Sequence, residues 1–200
     1  MKKIILAVAA VLAFGFTNAQ NVSFGAKVGG NSSSIRVGGG ELSDTGVLRF
    51  NSVEGIQAGL FAEIKVASKF AVQPEIMFST EGSKFGIGGG GDAKILFSYV
   101  NVPVMAKYYA SEKISLQAGP QIGFLVSAKG KGDGSSEDIK DSFKSTNFGV
   151  NFGLGYEISK KVGVDFRYNL GLSNIATDDI FGSDSTMKAS VFSLSVGYKL

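Results

Sequence analysis

The chain has 200 residues, with 20 basic against 17 acidic side chains, a hydrophobic fraction of 44% and 28 glycines, and it contains neither cysteine nor histidine. A single domain accommodates that length, the missing cysteine excludes a disulfide framework, and the missing histidine removes Ser-His-acid and Cys-His catalysis together with the commonest zinc sites. Beyond the N-terminus no stretch holds about eighteen consecutive apolar residues, so the apolar content is distributed in pieces too short for a membrane-spanning helix.

The first element is MKKIILAVAAVLAFGFTNAQ: Lys2 and Lys3, an uncharged run from Ile4 to Phe16, then small and polar residues with Thr17 and Ala19 at the small positions. This is the pattern of a secretory signal over residues 1–19, cut before Gln20 and leaving 20–200 as the mature domain; a buried N-terminal helix is the alternative. Its apolar run is too short to anchor in a bilayer. Two of the 20 basic residues leave with it, so the mature chain carries eighteen against 17 acids. No basic stripe or aromatic-basic interleaving remains, and no nucleic-acid partner is expected.

From there the hydrophobic period is two. Eight strands are predicted: Asn21–Gly30, Gly55–Val66, Phe70–Glu81, Ile95–Tyr109, Ile114–Ala128, Thr146–Ile158, Val162–Leu172 and Lys188–Leu200. Most reach about ten residues or more, the length that crosses a bilayer at a tilt. Ala67–Lys69, Ala110–Lys113 and Ser159–Lys161 read as tight turns. Asn31–Glu54, Gly82–Lys94, Lys129–Ser145 and Ser173–Met187 read as long polar loops. Short turns at one end and long loops at the other describe an all-β, eight-stranded antiparallel up-and-down transmembrane barrel, with short periplasmic turns and long external loops.

In FGVNFGLGYEI, Phe148 to Ile158, every second residue is large and apolar, and the alternate face holds three glycines, Asn151 and Glu157. A soluble lipid-binding barrel would alternate too, with the apolar face inward. The sequence favours the reverse. Glycine gathers on the polar face, where a narrow lumen must fit polar side chains. Phe70, Tyr108, Tyr156 and Tyr198 collect near the short-turn end of the apolar face as an interfacial aromatic girdle. The last strand keeps its alternation through Phe192, Leu194, Val196, Tyr198 and Leu200, an expected assembly signal for the barrel-assembly machinery. Pro74, Pro103 and Pro120 interrupt proposed strands and are candidate bulges.

Few motifs suggest chemistry. Gly86–Gly91 matches GxGxxG formally but precedes a strand rather than a helix, so an external loop is the better reading. Asp133 to Asp138 lacks the ligand spacing of a calcium loop, and Asp178, Asp179 and Asp184 read as a solvated acidic loop. No metal or cofactor is expected. Glu63, Glu75, Lys107, Asp165 and Arg167 fall at similar depth on the inward face, with Gln73, Gln117 and Asn169 able to bridge them. Charges taken out of water must be paired, which points to a lumen charge network, with a charged open constriction as the alternative.

YVNVPVMAKYY, Tyr99–Tyr109, and VDFRYNLGLSNI, Val164–Ile175, resemble the PorT-type outer-membrane β-barrel family. Tyr99, Pro103 and Lys107-Tyr108-Tyr109 carry the resemblance in the fourth strand, and Arg167–Leu172 in the seventh. It implies an architecture similar to the OmpA and OmpX barrels and little about activity. The expected protein is a non-enzymatic, monomeric outer-membrane barrel that meets lipid and lipopolysaccharide, with structural or surface-interaction duties and a plugged lumen. A narrow channel for small solutes or ions is the rival.

Overall fold

The computed structural model describes residues 22–38, 48–87, 91–132, 135–177 and 186–200. The expected signal segment, Asp133, the Asp178, Asp179 and Asp184 cluster, and residues 88–90 of the glycine run lie outside them.

β1 (Val22–Gly38) pairs antiparallel with β2 (Leu48–Ala67), β2 with β3 (Phe70–Ile87), β3 with β4 (Gly91–Tyr109), and β4 with β5 (Ile114–Gly132). The ring continues through β7 (Thr146–Glu157), β8 (Val162–Gly171) and β9 (Thr186–Lys199), and β9 returns to β1. Among the described residues β6 (Ser135–Asp138) pairs only with the outer end of β5. The result is the expected closed barrel of eight antiparallel strands. Closure leaves no unpaired edge, which is what a sheet in hydrocarbon requires. Among the described residues no helix is long and apolar enough to cross a membrane; the strands cross instead.

Burial settles which face is which. In β7, Phe152 and Leu154 are each 52% exposed while Asn151 beside them is 4% exposed. The apolar set therefore lines the outside all round, far more apolar surface than water tolerates on a monomer. An apolar cavity that could hold a lipid, as a soluble barrel would need, is replaced at this depth by polar side chains.

Two expectations are corrected. The segments read as long loops are partly strand: β3 runs to Ile87 and β4 starts at Gly91, so Gly82–Lys94 is mostly an extended hairpin. β1 and β2 likewise reach into Asn31–Glu54, β5 runs to Gly132 and β9 starts at Thr186. The outward positions there are filled by serine, glycine and basic residues such as Ser34, Arg36, Lys84, Lys94, Lys131 and Lys188, so the apolar alternation lapses while the ladder continues. The prolines do not mark bulges either. Pro74 pairs with Val104, Pro103 with Gln121 and Pro120 with Val150, each in unbroken register. A proline removes a single ladder bond, and its neighbours hold the register. The shifts fall elsewhere, at Ser52/Gln57, Lys65/Ala67 and Ser98/Tyr99.

Candidate functional site: the closed lumen

Strand period and register together build the lumen. Inward positions bring Lys27 of β1, Glu63 of β2, Gln73 and Glu75 of β3, Lys107 of β4, Gln117 of β5, Glu157 of β7, Asp165 and Arg167 of β8 and Lys199 of β9 to one tier. Glycine makes room for them. Lys27 pairs with Gly59 on one side and Gly197 on the other, and Arg167 and Gln117 both face Gly153. A Cβ on Gly153 would lie 2.8 Å from Cγ of Arg167, and one on Gly155 would lie 2.9 Å from Oδ1 of Asp165.

The charges join in one network. The Arg167 guanidinium donates to Glu75 through Nη1 and Nη2, both at 2.8 Å, and to Oε1 of Gln117 through Nε at 3.0 Å. The Lys27 ammonium lies 3.0 Å from Glu75 and 2.6 Å from Asp165. Gln117 donates to Asp165, and Gln73 donates to Glu75. Lys107 donates to Glu63 at 2.8 Å and to Gln73 at 3.1 Å. Lys199 bridges Glu63 at 3.2 Å and Glu157 at 3.1 Å. Four cations therefore meet four carboxylates, and the tier is neutral. Glu63 and Glu75 are each 1% exposed, so neither could carry charge unpaired. A cavity of about 20 Å³ among these groups has room for about one water molecule.

All five residues read from the sequence as lumen charges lie in this network. Lys27 and Glu157 lay on the same polar face without being singled out, and Lys199 was missed because it sits one residue from the end of the last strand. Phe61 was missed as well: it points inward among the polar side chains, with the Lys27 ammonium 5.4 Å above its ring.

Above the ionic tier the lumen changes character. Asn169 donates to Asn151 at 3.1 Å and Asn151 to Gln121 at 3.0 Å. Ser79 donates to Glu81 at 2.7 Å, with Asn101 beside both. Towards the long-loop end an apolar cap follows, containing Ile35, Phe97, Tyr99, Leu125, Phe143, Ile175 and Met187. Two loop segments fold inward to complete it. Phe143 bridges to Ala176, the Lys144 amide donates to the Ile175 carbonyl at 2.9 Å, and the Ile175 amide donates to the Met187 carbonyl at 2.9 Å. Phe143 packs edge-on against Phe97, ring centroids 4.8 Å apart. The expectation of a polar lumen thus holds for the lower tiers and is corrected at the outer end.

On the outside, Phe70, Tyr108, Tyr156 and Tyr198 are all exposed near the short turns. Phe70 and Tyr108 are cross-strand partners with rings 5.1 Å apart, and the Lys161 ammonium stands 5.6 Å over the Tyr198 ring. Phe192, Leu194, Val196, Tyr198 and Leu200 likewise face outward. Among the described residues no group of three or more acidic side chains is placed to hold a metal.

A model of the outer membrane protein β-barrel domain family matches residues 18–177. Comparison with curated protein sequences gave no match. Among solved structures, Ail, the attachment invasion locus protein of Yersinia pestis, is 18% identical with a TM-score of 0.50, over 90% of this chain and 99% of its own. Neisserial surface protein A is 14% identical with a TM-score of 0.55, over 88% of this chain and 97% of its own. At such identities the likeness is one of fold.

Proposed function

The chain belongs to the outer membrane protein β-barrel domain family, and from that premise we propose that it is a non-enzymatic surface barrel whose lumen does not conduct. The observation that carries this reading is the double closure of the lumen. A neutral ion-pair tier fills the lower part, and an apolar cap drawn from β1, β4, β5, β9 and two loops fills the outer mouth. Eight strands leave an interior about wide enough for side chains, so a filled lumen is the economical outcome. On this reading the surfaces left for function are the external strand ends and loops.

The finer features belong to the same proposal. Export uses a signal cleaved after residue 19, the PorT-type resemblance of Tyr99–Tyr109 and Val164–Ile175 reflects kinship within the family, and the barrel works as a monomer. The barrel-assembly machinery reads the alternating last strand. The test is single-channel recording of the refolded protein in a planar bilayer, with Lys107→Ala and Arg167→Ala beside the wild type. Silence from all three is expected. Steady wild-type conductance altered by those substitutions would make the charge tier a selectivity filter and refute the closure.

A further inference from the structure

The outer wall carries a second, unneutralised arrangement of charge. Lys84 of β3 and Lys94 of β4 are direct cross-strand partners, and Lys94 and Lys131 of β5 are partners in turn. Three like charges thus stand side by side across three strands, with adjacent Cβ atoms about 5 Å apart, an arrangement that destabilises a sheet. Their remaining direct cross-strand partners are uncharged: Asn51 pairs with Lys84, and Ser136 pairs with Lys131. Lys129, the next outward position on β5, has an acid, Asp138, as its partner. Among the described residues Lys84, Lys94 and Lys131 have no ion pair. Arg36 and Lys188 repeat the like-charge pairing between β1 and β9, both exposed.

The height of the row identifies what it meets. It tops the lipid-facing columns: Leu96 lies directly below Lys94, the exposed Phe78 below Lys84, and the exposed Val126 below Lys131. Fourteen residues separate Phe70 in the girdle from Lys84. At about 3.3 Å per residue and a tilt near 40° that is roughly 35 Å, beyond the apolar band of about 25 Å. The ammonium groups therefore reach the headgroup level of the external leaflet, with stems able to lie along the apolar wall beneath.

We propose that the Lys84–Lys94–Lys131 row binds the phosphorylated headgroup of an outer-leaflet glycolipid. A phosphate brings close to two negative charges and several acceptor oxygens, and lysine is a point-charge partner for it. Adjacent ammonium groups converge on one phosphate or span two. The bilayer holds the ligand at the height of the row, and the cross-strand repulsion is relieved when it arrives. The proposal rests on the barrel spanning the outer membrane and is independent of whether the lumen is closed.

The test places the refolded full chain in phosphatidylcholine vesicles containing either diphosphorylated lipid A or the same lipid dephosphorylated, and measures retained lipid by native mass spectrometry. The wild type is expected to retain the diphosphorylated form. The variant Lys84→Gln/Lys94→Gln/Lys131→Gln should bind it roughly a hundredfold more weakly, three basic contacts being lost at an anionic surface. Lys65→Gln/Lys113→Gln, at the short-turn end, should match the wild type. Equal retention by the triple variant, or equal retention of dephosphorylated lipid, overturns the proposal. Displacement of lipid A by inorganic phosphate would assign the row to a free anion, and tighter binding of heparin would assign it to a soluble polyanion; either overturns the lipid. In neutral detergent the triple variant should unfold at the same temperature as the wild type or higher, since repulsion is relieved. A lower unfolding temperature there would make the row a folding element and overturn the proposal as well.

Discussion

Arg167 is the group on which the ionic tier depends most. It binds both oxygens of Glu75 at 2.8 Å and holds Oε1 of Gln117 through Nε at 3.0 Å and Nη2 at 2.7 Å. Arg167→Gln removes one of four cations, leaves Glu75 and Asp165 sharing Lys27, and takes the tier to a net charge of about −1 in a dry interior. Breaking a buried pair from one side costs about 3–5 kcal/mol, chiefly because the surviving charge is uncompensated. Glu75→Gln should cost a similar amount with the opposite excess charge. The double variant restores neutrality, with three cations against three acids and two amides able to bond each other. Its cost should fall short of the sum of the single costs by about 2–3 kcal/mol. Urea unfolding in detergent measures this, followed by far-UV circular dichroism and by the gel mobility of unheated protein, because the chain has no tryptophan. Additivity within about 0.5 kcal/mol, or a cost for Arg167→Gln below about 1 kcal/mol, would show that the tier is solvated and refute the reasoning.

Three further outcomes follow from particular contacts. Gly153→Ala forces a Cβ against the Phe166 carbonyl and the Arg167 side chain and should cost about 1–3 kcal/mol, whereas Gly30→Ala, with only the Gly55 carbonyl within 4 Å, should change unfolding by less than about 0.5 kcal/mol. Phe152→Arg, in the middle of the lipid-facing wall, should destabilise the barrel in vesicles by about 2–4 kcal/mol and Tyr198→Arg, at the girdle, by about 0–1 kcal/mol. Equal costs would place both side chains at one depth. Phe143→Ala should loosen the cap without unfolding the barrel, seen as faster tryptic cleavage at Lys140 and Lys144 with an unchanged heat-resistant band on gels.

Period two was the readable quantity. It placed Phe152 outside and Asn151 inside, and it put Glu63, Glu75, Lys107, Asp165 and Arg167 on one face, because the two faces of a barrel wall meet opposite solvents. Where that contrast fades, the sequence says less. Lys84, Lys94 and Lys131 replace the apolar outward residues beyond the apolar band, in stretches crowded with glycine, so the extended ends of β3, β4 and β5 read as loop although the ladder continues. The apolar cap was hidden for a different reason. The irregularity at Ser98/Tyr99 shifts the phase of β5, so that Leu125 and Ala128 both turn inward, three residues apart. Phe143 and Ile175 belong to loops, whose fold into the mouth depends on pairing between segments far apart in sequence. The ion pairs needed register as well as face: Lys27 and Arg167 both reach Glu75 across the lumen, which no single-strand pattern contains.

The two closures act in series, and that fixes how the barrel can be opened. A hydrated ion entering from the short-turn end meets four cations each bound to acids, with no free charge to receive it, so passage requires a pair to break in a low dielectric. An ion entering from the loop end meets Phe97, Phe143, Ile175 and Met187, which exclude water and so strip its hydration shell. On the proposed reading either barrier alone is enough to stop conduction, so Arg167→Ala and Phe143→Ala should each stay silent in a planar bilayer. Combined, they remove the largest side chain of the ionic tier and the ring that seals the mouth, and small, irregular conductance steps are expected from the pair alone. Conduction by Arg167→Ala alone would mean that the cap does not seal. Silence of the combined variant, with its heat-resistant gel band intact, would mean that the middle tier around Asn101, Gln121 and Asn151 closes the lumen without help from either.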